Sequence, residues 1–193
     1  MDKINKFAQI TRIITVAPIM AWGALSILYG VRPDIFKEFS YFLLSVLFLT
    51  VLPLSAYPLQ PFVPGFRHKG REGQRNLAIV TAVLGYLSGI VSARCLHMPK
   101  TVWLIYLTYF ISGIGILFFN KMLKIRASGH ACGVAGPISL LAYFIGVKAL
   151  WGIALLITVY WACLKMKRHT VSQLLWGSAI PLCALYMAVL FTS

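Results

Sequence analysis

With 193 residues, 60% of them hydrophobic and only 11% charged, and a mean hydropathy of +0.83, the chain is unlike a soluble domain, where about a quarter of residues are charged; it reads as an integral membrane protein. Its four acidic residues, Asp2, Asp34, Glu38 and Glu72, are too few to build a carboxylate-bound Mg²⁺ or Ca²⁺ site or a two-metal centre, which argues against metal-dependent phosphotransferases, aspartate-rich prenyltransferases and paired-carboxylate glycosidases. The net charge of +14 falls in short clusters between apolar runs, a pattern that suits membrane topology or an anionic ligand and predicts no nucleic-acid partner.

In chain order, the first apolar segment, 7–30, follows a basic start as a signal peptide would. It has no small-residue cleavage site and is read as the first span. Segments 40–57, 76–95, 101–119, 130–147, 149–164 and 171–192 follow. None alternates with period two, and a backbone crossing lipid must satisfy its own hydrogen bonds, so all are expected to be helices. The expected fold is all-α: one polytopic membrane domain, 1–193, of six or seven transmembrane helices, with the N-terminal spans, 1–57, at its periphery. Segment 57–75 interrupts the series with Pro58, Pro61, Pro64 and Gly65 and a basic run from Arg67 to Arg75, which places it at a membrane surface. The pairs Gly85/Gly89 and Gly129/Gly133 have the spacing that lets helices approach closely. Cys95, Cys132, Cys163 and Cys183 show no Cys-x-x-Cys spacing and signal neither a zinc site nor a disulfide framework. No metal and no cofactor is expected.

The loops alternate in charge. Lys3, Lys6 and Arg12, then Arg67, Lys69, Arg71 and Arg75, then Lys121, Lys124 and Arg126, then Lys165, Lys167 and Arg168 fall on one side, thirteen against the five of Arg32, Lys37, Arg94, Lys100 and Lys148. By the positive-inside rule the first set is cytoplasmic, with an odd number of spans. The expected location is the plasma membrane of a prokaryote.

Two basic loops each carry a histidine. One runs from Asn120 to Ala131 and holds Lys121, Lys124, Arg126, Ser128, Gly129 and His130; the other runs from Lys165 to Gln173 and holds Lys167, Arg168 and His169. The histidines are 39 residues apart, enough for two crossings of about 17–18 residues at roughly 1.5 Å each, so both emerge on one face. Each cluster stands at a helix N-terminus, where free N–H groups and the helix dipole favour an anion. Basic side chains, helix N-termini and two histidines together describe a phosphate site at which histidine serves as nucleophile or as general acid and base. Arg71, Gln74 and Arg75 are further candidates for this pocket. Ser128 is equally an N-cap, and Thr170 to Gln173 equally a capping box, so an orienting role for Gln173 toward His169 stands beside a purely local one.

Arg126-Ala127-Ser128-Gly129-His130 resembles the Ser-Gly-His motif of the type-2 phosphatidic acid phosphatase superfamily. His169-Thr170-Val171-Ser172-Gln173, followed by Gly177, resembles its later histidine motif in the His-Thr-x-x-Gln form of the polyprenyl diphosphatase branch. The resemblance covers roughly 100–185, which it marks as a phosphatase-like core. It implies a lipid-phosphate hydrolase working through a phosphohistidine, with His169 as nucleophile and His130 as general acid to the leaving oxygen. The expected partner is a membrane lipid substrate. Two positions depart from the family pattern. The Lys and Arg-Pro of its first motif are replaced by Lys121, Lys124 and Arg126 directly before the Ser-Gly-His, without the proline, and Cys163 stands where an arginine is usual, six residues before the nucleophile. Lys165 or Lys167 would bring charge there but not the bidentate contact of arginine. A protein of this kind without turnover would bind or transport an anionic lipid.

Overall fold

A computed structural model of the chain describes residues 3–193, and the side chains of all of these except Lys3, Ile4, Asn5 and Arg71. Its longer elements are α1 (Lys3–Ile14), α2 (Ala17–Val31), α3 (Phe39–Val46), α4 (Leu52–Leu59), α5 (Gly70–Cys95), α6 (Lys100–Lys121), α7 (Gly129–Ile145), α8 (Gly152–Lys165) and α9 (Val171–Thr192). No strand occurs among the described residues. Five helical stretches are long and apolar enough to cross a membrane, six when the bent pair α1–α2 is taken as one. The protein is an all-α membrane helix bundle, as expected from its composition and the lack of a two-residue period.

The 37-residue apolar stretch Gly129–Lys165 doubles back on itself. Gly146, at φ +73°, ends α7; a 3₁₀ turn over Gly146–Trp151 follows, and α8 returns antiparallel. The hairpin closes because Gly152 rests on Ile138, where a Cβ would come within 2.7 Å of the side chain, and because Val134, Val159 and Cys163 share one buried cluster. Segments 130–147 and 149–164 are therefore two antiparallel helices and not one continuous one.

Segment 7–30 is not one straight helix. It breaks between α1 and α2 with a bend of 58°. Pro18 lies in the first turn of α2 and has no N–H to continue a helix. The Thr11 and Thr15 hydroxyls bond back to the carbonyls of Phe7 (3.0 Å) and Thr11 (2.7 Å), an arrangement that bends helices. α1 lies against α8: Ala8, Thr11 and Thr15 are buried, Phe7 meets Trp161 with ring centroids 5.8 Å apart, and Ile10, Ile13 and Ile14 face outward. In the second span, Phe39–Phe62, Pro53 gives the Leu49 carbonyl no donor, and the helix widens into a π turn over Leu47–Val51.

Glycines stand where helices pack closely. A Cβ at Gly85 would strike the Phe48 carbonyl oxygen, one at Gly133 would come within 2.6 Å of Ala17 Cβ, and one at Gly89 would enter the Tyr106 ring; Gly129 has nothing within 4 Å. The larger core lies away from the basic loops, around buried Leu25, Leu28, Phe36, Val102, Ile105 and Tyr106. There the Tyr106 hydroxyl meets Ser45 Oγ at 3.1 Å.

Candidate functional site

The two histidine motifs are joined by backbone. Ser128 N–H donates to the Gln173 carbonyl at 2.9 Å, and Gly177 packs so closely on Ser128 that a Cβ there would collide with its carbonyl oxygen. Ser128 is fully buried and caps α7 by accepting from Ala131 N–H at 3.3 Å, so its side chain serves the helix start rather than an open pocket. The α9 start is a complete capping box: Thr170 Oγ1 accepts from Gln173 N–H (3.4 Å), and Gln173 Oε1 accepts from Thr170 N–H (3.3 Å). The same Oε1 lies 3.1 Å from His169 Nδ1. An amide oxygen only accepts, so Nδ1 carries the proton and the lone pair sits on Nε2. Gln173 thus both closes the capping box and contacts the His169 ring.

His130, half-buried in the first turn of α7, has Nε2 3.1 Å from the backbone carbonyl of Arg12. A carbonyl requires a donor, so Nε2 carries the proton and Nδ1 is left open. His130 is within range of the charges of Arg12 and His169. For His169, in the loop before α9, burial first of all pushes the imidazole below its ordinary value; the Gln173 hydrogen bond opposes this, and the positive charges of Arg12 and Arg126 add to it. Arg12, Arg126, His130 and His169 are therefore one cluster.

Arg126 and Lys124 hold φ of +59° and +56°, and Lys167 holds +50°, a left-handed conformation uncommon for non-glycine residues and concentrated at functional sites. The first loop is held in this shape by Asn120, whose Nδ2 donates to the Ala127 carbonyl at 3.2 Å, and by Ile125 N–H on the Phe119 carbonyl at 3.0 Å. Lys121, Lys124, Arg126, Lys165, Lys167 and Arg168 are exposed. None of them lines the cavity described next.

Gly129 and His130 form part of the wall of a cavity of about 420 Å³ between α2, α4, α5, α6 and α7. Gln74 and Arg75 line its mouth; Ala78, Ile79, Ala82, Val83 and Tyr86 follow on α5. At about 1.5 Å per residue this stripe descends about 16 Å into the bundle. Opposite it stand Pro53, Tyr109, Gly113, Gly136 and Leu140. His169 does not line this cavity. Of the further pocket candidates, Gln74 and Arg75 line this cavity from the first turns of α5, and the Arg71 side chain lies outside the described residues.

Arg12 was legible in the sequence only as a topology charge, yet it lines the cavity beside His130. The available signal was its setting between Thr11, Ile13 and Ile14, since a charge inside an apolar run is costly and commonly functional. No group of three or more His, Cys, Asp or Glu side chains gathers as metal ligands among the described residues. Compared with protein-family models, curated proteins and solved structures, the chain finds no match.

Proposed function

We propose that the protein is a metal-independent lipid phosphatase, hydrolysing a polyprenyl phosphate or diphosphate or a glycerolipid phosphate through a phosphohistidine on His169. The observation that carries this reading is the Gln173-held tautomer of His169, which leaves Nε2 free on the segment that the Ser128–Gln173 backbone bond ties to the start of α7, where His130 lines an apolar cavity. The headgroup sits between the histidines, and the hydrocarbon chain runs down the α5 stripe. His169 Nε2 attacks phosphorus while the bond to the lipid oxygen breaks, and His130, protonated at Nδ1, hands its proton to that oxygen. Neutral His130 then takes a proton from water as the water oxygen attacks the phosphohistidine, breaking the P–N bond and releasing phosphate. Arg126 and the amides at the α7 N-terminus offset the developing negative charge. The exposed lysines draw anionic lipid toward the mouth. We place the site on the cytoplasmic face of a prokaryotic plasma membrane, following the basic loops.

The test is phosphate release by purified protein across a panel of prenyl and glycerolipid phosphates. His169→Ala and His130→Ala each abolish release while the protein stays monodisperse in detergent. Full activity in either variant, or an absolute requirement for Mg²⁺, overturns the reading. Saturable lipid binding without turnover across the panel would make the protein an anionic-lipid binder or carrier instead.

A further inference from the structure

Arg12 is held in place in an unusual way. Its Nε is buried and has no hydrogen-bond partner, and the nearest acceptor to its Nη1 is the weak Met166 Sδ at 3.8 Å. Among the described residues it joins no ion pair; the pair that does form, Arg32 with Asp34, is exposed at the end of α2. Arg12 as a whole is half-buried, but a buried N–H from which nothing accepts is costly. Its position is nevertheless firmly set: α1 is seated on α8 through Ala8, Thr11 and the Phe7–Trp161 contact, and the Arg12 carbonyl fixes the ring of His130. Arg12 lines the cavity together with Gly129 and His130, and its guanidinium extends toward Met166 after α8. Through Met166 its guanidinium meets the C-terminal end of α8, the helix that carries the fully buried Cys163, the position that has no charge of its own six residues before His169.

We propose that Arg12 is the phosphate-binding arginine of this site, reaching in from the N-terminal helix to place its guanidinium where Cys163 leaves none, and that its missing partner is the tetrahedral oxyanion of the substrate headgroup. The inference rests on the phosphatase reading of the same site. A guanidinium gives two parallel N–H donors to a phosphoryl group, and its fixed fork is what a point-charged lysine does not replace. Because the same residue orients His130 through its carbonyl and meets phosphate through its side chain, the α1 helix couples the acid to the anion.

The experiment uses the full chain in detergent. One arm measures binding of inorganic phosphate by calorimetry; a second measures hydrolysis of a short-chain prenyl monophosphate, so that free phosphate and lipid headgroup are read separately. Arg12→Met keeps the stem and the backbone carbonyl. It should lose about 10²-fold in kcat/KM and about tenfold or more in phosphate affinity. Arg12→Lys, which also keeps the charge, should recover less than about a tenth of the lost kcat/KM, and the swap R12M/C163R should regain about tenfold or more of it. If wild type hydrolyses lipid and Arg12→Met stays within about twofold in both arms, the Arg12 assignment falls while the phosphatase reading stands. If wild type binds phosphate in an Arg12-dependent way yet turns over no lipid, the assignment stands and the phosphatase reading falls.

Discussion

In the proposed reaction His169 attacks only while neutral, and its surroundings favour that form. Burial and the charges of Arg12 and Arg126 hold its imidazole below the ordinary value, so the acid limb of the kcat/KM profile is expected below pH 6.5, the usual histidine value. Removing a positive neighbour makes protonation easier. Arg126→Gln should therefore move this limb to higher pH, toward the ordinary value, as measured by the pH dependence of phosphate release; a limb that stays put or moves down would separate Arg126 from His169. Gln173 has two separable duties. Gln173→Leu removes half of the capping box, at a cost of about 1 kcal/mol in unfolding measurements, and frees the His169 ring to rotate or to change tautomer, which should lower kcat about tenfold or more. A loss of stability with kcat intact would reduce Gln173 to a cap.

At the scale of helices, function depends on how closely α7 and α9 approach. Gly177 lies over Ser128, and the Ser128–Gln173 backbone bond locks the two motifs in register. Gly177→Val should destabilise by about 1–3 kcal/mol, as overpacking does, and should abolish phosphate release because the histidines separate. Gly23→Ala on α2 is the control: nothing lies within 4 Å of its Cβ position, so it should be neutral or stabilising by up to about 1 kcal/mol. The α5 stripe makes its own prediction. Ala82 is about one turn above Tyr86, in the inner half of the cavity. Ala82→Phe should block the deep end, cutting kcat/KM for a long-chain substrate about tenfold or more relative to a short-chain one, with phosphate affinity unchanged. An equal effect on both chain lengths would mean that the chain lies elsewhere.

For the whole molecule, the ends of α1 and α8 and the starts of α5, α7 and α9 converge at one end of the bundle, while Arg32, Asp34 and the α7–α8 turn lie at the opposite one. Single cysteines at positions 68 and 172, both exposed, in a variant whose native cysteines are replaced, should react with a membrane-impermeant reagent only after cells are opened. A cysteine at position 148, on the turn between α7 and α8, should react in intact cells. The reverse pattern would turn the site to the outside.

The helical membrane character and the two histidine loops were legible in the chain itself, because each depends on hydrophobic runs about as long as a bilayer is thick and on local cap signals such as Thr170 to Gln173. The pairing of His130 with His169 on one face also followed, since two antiparallel crossings return the chain to its starting side. What periodicity left unresolved was the break at Thr15–Val16, where back-bonded threonines and Pro18 turn an apolar run aside, and the choice among the basic residues. Lys121, Lys165, Lys167 and Arg168 belong to the same sequence clusters as the histidines yet remain exposed, whereas Arg12, 118 residues before His130, reaches it. Charge patterning reports only the side of the membrane on which a residue falls. Which guanidinium turns inward was decided by α1 folding across α8, a contact between segments far apart in the chain that no local pattern encodes.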